Sequence, residues 1–211
     1  MLNRILKISF VISIISLIFL TNLNLFSLNF NVYKKEFQKL NVYEEIPEAD
    51  KYALNVINYH KNKEELNTFF NEKEKLHLKD VKDLINKALL IFYLSLILTF
   101  ILSIYLVYKK EYKNILDSFI LSSFIMIGVI LFLLLIPFDL FFTKFHELTF
   151  SNNLWLLGQE DNLIKLFPQE FFFNISFKIG INILITSIIL IVLSFLLKFK
   201  LNKKLLNNNG L

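Results

Sequence analysis

Four stretches of the chain are predominantly apolar for about twenty residues or more: 5–26, 88–108, 115–138 and 175–197. Each is long enough to cross ~30 Å of hydrocarbon, which takes roughly 20 residues at about 1.5 Å apiece. The spacing predicts four transmembrane helices joined by two outer loops, 29–87 and 143–174, and a short turn between the second and third spans. The first span follows Arg4 and carries Lys7, as a secretory signal would. The segment TNLNLFSLN has no small-x-small cleavage site, however, so this span is expected to remain as an anchor.

Between the spans the pattern changes period. In EADKYALNVINYHKN, the residues Tyr52, Ala53, Val56, Ile57 and His60 recur at helical spacing and predict an amphipathic helix. NEKEKLHLKDVKDLINKALL follows, with Asn71 placed as an N-cap and acidic residues in the first turn, and it runs directly into the second span. His77, Val81, Leu84 and Ala88 fall on one stripe of that helix, with Asp80 beside His77. A straight helix sets His77 about 16 Å from Ala88. The second outer loop is dense in rings, among them Phe142, Phe145, Phe150, Trp155, Phe171 and Phe172. Such a belt is usual at headgroup level. The belt does not account for Asp139, His146 and the polar run Ser151, Asn152, Asn153 set within it. Pro137, Gly158 and Pro168 punctuate the segment and predict a shaped, surface-lying loop.

Composition agrees with the pattern. Of 211 residues, 55% are hydrophobic, 24 are Phe and only 4 are Gly, which places the chain in the membrane class. We expect an all-α integral membrane protein, a single membrane domain over 1–211, with a small extracytoplasmic cap from the 29–87 loop. Charge sets the orientation. Nine basic residues flank the inner ends of the spans against only Glu111 and Asp117, a net of +7, while the outer segments carry 14 basic and 16 acidic residues, a net of −2. By the positive-inside rule both termini and the 109–114 turn are cytoplasmic, and both outer loops face the other side. The basic excess therefore reflects topology, and no nucleic-acid partner is expected. The absence of cysteine removes thiol nucleophiles and thiolate metal sites, and means that the chain is not itself a lipidated lipoprotein. No metal or cofactor is expected. No charge lies near the centre of a span, which argues against a pump or channel, and there is no P-loop or dinucleotide fingerprint.

His77 and His146 remain as the groups with chemistry to offer, each at the mouth of a span and each with an aspartate at helical spacing, Asp80 at i+3 and Asp139 at i−7. Imidazole titrates near 6.5 and an α-amino group at about 7.7–8.0, so a histidine is matched to acid–base work on an amine. His60, by contrast, sits in the amphipathic stripe of a cap helix and is expected to be structural. Asp80 and Asp83 have an ordinary alternative as surface acids paired with Lys79, Lys82 or Lys87.

The two blocks FFNEKEKLHLKDVKDLI and FDLFFTKFHELTFSNNLWLL, the latter followed by DNLIKLFPQEFF, resemble the bacterial lipoprotein intramolecular transacylase family, formerly a domain of unknown function. The resemblance covers the four-span layout over nearly the whole chain, its specific motifs lying at about 69–86 and 138–173. It implies transfer of the sn-2 acyl chain of a diacylglyceryl-cysteine lipoprotein to that cysteine's α-amino group, giving a lyso-form lipoprotein. The family's two key histidines carry over to His77 and His146, and its partners are diacylated lipoproteins and membrane lipid. Family members often have Asp where this chain has Asn153 and Gly158.

On this reading His146 is the general base and acid, oriented by Asp139. His77, held by Asp80, acts at the departing oxygen. Asn152, Asn153 and the Trp155 indole are candidate oxyanion or headgroup contacts. Ser151 as a nucleophile lacks an elbow-like glycine pattern. The alternative is a non-catalytic membrane protein, a small-solute permease or an assembly factor. A permease, though, would place polar groups or broken helices at mid-membrane. The orientation is checked by cysteine labelling: positions 62 and 159 should react from outside intact cells, and positions 112 and 208 only after permeabilisation.

Overall fold

The computed structural model describes residues 2–208, and the side chains of residues 4–203. The described residues form helices and no strand: α1 (Leu2–Ser27), α2 (Phe30–Lys39), α3 (Val42–Glu45), α4 (Ala49–His60), α5 (Glu72–Tyr108), α6 (Tyr112–Leu133), α7 (Phe138–Thr149), α8 (Asn162–Leu166) and α9 (Gln169–Asn208). Four of these, α1, α5, α6 and α9, are long and apolar enough to cross a membrane. The chain packs as two compact units. One comprises the described parts of Met1–Asn22, Leu89–Leu135 and Gly180–Leu211, the other Leu23–Ala88 and Ile136–Ile179.

The first unit contains the apolar helices. Its interior holds Phe10, Ile14, Met126, Ile130 and Ile183, all nearly inaccessible, while Phe100, Ile104, Phe132 and Ile188 stand exposed on the outside. An outward apolar surface of this kind is what lipid, not water, covers. Small hydroxyls let the helices approach closely. Ser13 Oγ donates to the Phe10 carbonyl at 2.8 Å and accepts from Thr99 Oγ1 at 2.8 Å, and Ser122 reaches the Val11 carbonyl. Asn182 donates to the Asn22 side chain, whose own amide returns to the Ile18 carbonyl. Each of these polar groups is satisfied within the protein, as hydrocarbon surroundings require.

The third span differs from its expected limits of 115–138. Helix α6 begins at Tyr112 and ends at Leu133, and Pro137 caps a separate helix, α7, whose first residue is Phe138. Proline has no N–H to return to the carbonyl four residues back, and its ring crowds the preceding turn, so it kinks or breaks an apolar run, and here the run is broken. By contrast α5 is a single helix of 37 residues, so the stretch bearing His77 runs directly into the span.

The second unit is organised by aromatic packing and one buried acid. Phe37 is fully buried, with the rings of Phe167 and Phe171 each 5.8 Å away, and Tyr33 meets Phe171 edge-on at 4.9 Å. Glu36, also buried, pairs with Lys178. Helix α4 buries Ala53, Val56, Ile57 and His60, the stripe that the sequence predicts. Asn55 ties the following loop to it, donating to the Glu65 carbonyl and accepting from Asn67 N–H, both at 2.8 Å.

At the start of α5, Asn71 Oδ1 accepts from Glu74 N–H at 2.9 Å, and Glu74 Oε2 accepts from Asn71 N–H at 2.6 Å. This is a reciprocal capping box, with asparagine at the N-cap. The second carboxylate oxygen of Glu74, a residue with no exposed surface, accepts from Leu163 N–H in the first turn of α8 at 2.6 Å. Removing it leaves the buried Leu163 N–H without a partner, at about 1–3 kcal/mol, and frees the partly buried Asn71 N–H as well. Glu74→Ala should therefore lower the detergent-solubilised protein's Tm by several degrees, with Glu74→Gln, which keeps one acceptor oxygen, losing less; equal Tm values for wild type and Glu74→Ala would contradict this.

Candidate active site

His77 lies on the second turn of α5, three residues beyond the capping box, so its position follows from the anchoring of that helix end. The anchoring extends well past Glu74. Asn71 Nδ2 donates to Asp161 Oδ1 at 2.9 Å, Asp161 Oδ2 accepts from Gly158 N–H at 2.7 Å, and Asn162 Nδ2 donates to the Phe69 carbonyl at 2.6 Å. Lys73 donates to the Leu156 carbonyl. These bonds join the first turns of α5 to the 151–162 loop.

His146 is the one residue of α7 that is buried among those described. The helix is amphipathic, with Leu140 and Leu148 exposed, and it turns the imidazole inward. The rings of His77 and His146 stand 6.1 Å apart, tilted by 35°. Phe150 meets His77 edge-on at 5.3 Å, Trp155 lies 5.0 Å from His146, and Phe142 lies 4.3 Å from it on the same helix. Two imidazoles from separate helices thus share one aromatic enclosure, each less than a tenth exposed.

The hydrogen bonding assigns a tautomer. His146 Nδ1 is 2.7 Å from the Phe142 carbonyl oxygen. A carbonyl only accepts, so Nδ1 carries the proton, and Nε2 keeps its lone pair as the basic atom. Burial pushes the His146 pKa below its ordinary value, opposed by this hydrogen bond. His77 is pushed down further, to about 4, first by burial and then by the neighbouring His146, with Asp80 acting in the opposite direction. Both rings are therefore neutral near pH 7 and ready to accept a proton. His77 Nδ1 is buried without a hydrogen-bond partner among the described residues, which leaves hydrogen-bonding capacity unspent at the site.

His60 has the same private features: it is buried, its Nδ1 is unpartnered, and its pKa is pushed to about 4 by burial and by Lys82. Its nearest ring is that of Tyr59. Burial and an orphaned nitrogen therefore do not single out a working histidine. What separates His77 and His146 from His60 is that they face one another.

The aspartates sit differently from their expected places. Asp80 Oδ2 accepts from Asn152 Nδ2 at 2.8 Å, and its carboxylate acts on His77 through charge without a hydrogen bond to it. Asp139 is exposed and accepts from Gln169 Nε2. The position beside His146 that Asp139 was expected to fill is taken by the Phe142 carbonyl, because i−4 on a helix is nearer than i−7 and needs no side chain. Asn152 uses one amide N–H on Asp80 and its oxygen on Leu154 N–H at 3.0 Å, an Asx turn that shapes the loop. Asn153 and Ser151 are exposed, and Trp155 is in ring contact with His146. Among the described residues no group of three or more His, Asp or Glu side chains is placed to hold a metal ion. Glu74 and Asp161 were not singled out from the sequence. The spacing of Asn71 and Glu74 carries the capping-box signal, whereas nothing local announces the bond from Glu74 to Leu163.

No curated protein matches the chain. The solved structure of the membrane integral lipoprotein intramolecular transacylase Lit from Bacillus cereus is similar to it, with a TM-score of 0.76 and 24% identity over 96% of this chain and 97% of that one. Two variants of the same protein, with one histidine replaced by arginine or by alanine, each give a TM-score of 0.80 at 26% identity. They cover 96% of this chain and 95% and 96% of theirs. The sequence profile described as lipoprotein intramolecular transacylase Lit matches residues 7–172, most of the chain and a stretch that includes both facing histidines. The chain therefore belongs to the lipoprotein intramolecular transacylase family and is an integral membrane acyltransferase.

Proposed function

We propose that this protein moves the sn-2 acyl chain of a diacylglyceryl-cysteine lipoprotein to the α-amino group of the same cysteine, at the extracytoplasmic face, with both termini in the cytoplasm. The facing pair of neutral, enclosed imidazoles is the observation that carries the reading. Two such groups about 6 Å apart suit a reaction with two proton-handling ends, an attacking amine and a departing alkoxide. The solved relatives with a replaced histidine add support for a histidine-centred reaction.

In this scheme the amine nitrogen attacks the ester carbonyl carbon as His146 Nε2 takes its proton. The C–O bond to glycerol then breaks, and the glycerol oxygen receives a proton from the His146 imidazolium or across the pair from His77. An amide forms, a free secondary hydroxyl is left at sn-2 of the same molecule, and no water or external acyl donor is consumed. Asp80 favours a transient charge on His77. Because amine and ester belong to one substrate, the protein's main task is to fold that headgroup into a near-attack geometry, where effective molarity supplies much of the rate. Trp155, in contact with the His146 ring, is the best placed of the candidate oxyanion contacts, and Asn152 retains one unassigned amide N–H.

General acid–base groups contribute about 10²–10⁴-fold. Mass spectrometry of lipoprotein N-termini from cells carrying His146→Ala should show near-complete loss of the lyso form with the protein still in the membrane. His77→Ala should lose most of it, and His60→Ala should behave as wild type. Asp139→Asn should cost little, since its partner is Gln169. Normal lyso-form production by His146→Ala would sink the assignment.

The pH dependence follows from the lowered histidine pKa values. A depressed folded pKa means that the unfolded chain binds more protons between about 4 and 6.5, so stability falls as pH drops through that window. For activity, kcat/KM should show no inflection near 6.5. It should fall about tenfold per pH unit below the substrate amine's pKa of about 7.7–8.0, with a further, steeper limb only well below 6.5, where the buried rings take up protons. An acid limb centred at 6.5 would mean that the pair is solvated in the working enzyme.

A further inference from the structure

Next to the histidine pair, within the second unit, a cleft of about 160 Å³ opens between α5 and the 149–152 segment. A single water needs only about 10–15 Å³, so the cleft admits a group of several heavy atoms. Its polar walls are Asp80, Asp83 and Lys87 on one side and Thr149, Ser151 and Asn152 on the other, with Leu84 and Phe150 as the apolar part of the lining. Asp80, Asp83 and Lys87 lie at i, i+3 and i+7 on one face of α5, in line with His77 at i−3. Phe150 is at once a wall of this cleft and the ring packed edge-on against His77. The cleft and the buried, unpartnered imidazole of His77 are therefore neighbours across one side chain.

The occupants of the two places differ in chemistry. Acyl chains need apolar walls, and the aromatic enclosure around the histidines provides them. The cleft presents two carboxylates, one ammonium, two hydroxyls and an amide against two apolar side chains, a lining that suits a small zwitterionic or cationic group better than an acyl chain. Asp80 is oriented by Asn152, whereas Asp83 and Lys87 have no hydrogen-bond or ion-pair partner among the described residues. The facing charge is net −1. The polar cation common to the substrates of the proposed reaction is the α-ammonium of the lipidated cysteine, which must arrive beside the histidines before it can lose its proton.

We infer that the cleft is the docking subsite for the substrate's amino-terminal end, with Asp83 as the charge that attracts the α-ammonium before it passes along α5 to the histidines. This rests on the proposed transacylase reading and assigns it a recognition residue separate from the histidines. An exposed carboxylate acts through a screened charge, so the contribution is modest, about two- to fivefold in affinity, and it fades at high salt. Its place is in binding, so it bears on KM rather than kcat.

The test uses two unreactive probes and the full-length protein in detergent. One is a dialkyl-ether glyceryl-cysteine dipeptide with a free α-amine, whose ether links leave no acyl group to move. The other is the same compound N-acetylated. Direct binding measured at low salt and pH 6.5 should favour the free amine about two- to fivefold in wild type. That preference should vanish in Asp83→Asn and reverse or vanish in Asp83→Lys, with KM for the ester substrate raised about two- to fivefold in Asp83→Asn. Equal binding of the two probes by wild type, or a preference that persists in Asp83→Asn, would overturn the inference. Conversion of the ester substrate by wild type is scored separately: its absence would count against the transacylase reading, while the ether probes report on the cleft either way.

Discussion

The carboxylate of Glu74 holds together parts of the chain that are distant in sequence. It completes the capping box at Asn71 and, with its other oxygen, seizes the first turn of α8 at Leu163, 89 residues later. A buried acid accepting only backbone N–H groups is a costly arrangement to leave incomplete, so both helix ends are held in one register. His77 follows within a turn. The bonds from Asn71 to Asp161 and from Asn162 to Phe69 bind the neighbouring loop to the same point, and this loop supplies Trp155 and the Asp80 partner Asn152.

That frame explains why the site can hold two neutral imidazoles close together. Burial alone lowers the pKa of each ring, and each ring's charge would further penalise the other's. The pair is thus ready to take up one proton and poorly disposed to hold two. The proposed single-proton relay between an amine and a leaving alkoxide draws on this state. The aromatic walls keep bulk water from the rings, which would otherwise restore their ordinary basicity and compete as a nucleophile.

Much of this was legible in the residues, and the failures have definite causes. The four spans follow from apolar length, and the α4 stripe and the Asn71 cap follow from local spacing. The end of the third span did not, because apolar residues continue to Phe138 and hydropathy does not say how far before Pro137 the helix stops. The paired histidines stand out as candidates, but their meeting is a tertiary contact between α5 and α7, which no local pattern announces. Asp139 was placed by periodicity on the correct face of a helix and still missed His146, since side-chain partners are chosen among all neighbours in space, and Gln169 is one of them. The contact from Glu74 to Leu163 is tertiary from end to end.

The partner that orients His146 is a main-chain carbonyl four residues earlier in its own helix. No substitution of a side chain can delete that acceptor, and none can turn it into a donor. A histidine steered by a carboxylate is one missense change from the other tautomer; the His146 proton is held by the α7 backbone itself. The ring's chemistry is in this sense written into the backbone, and the surrounding sequence is free to drift while the basic nitrogen stays where it is.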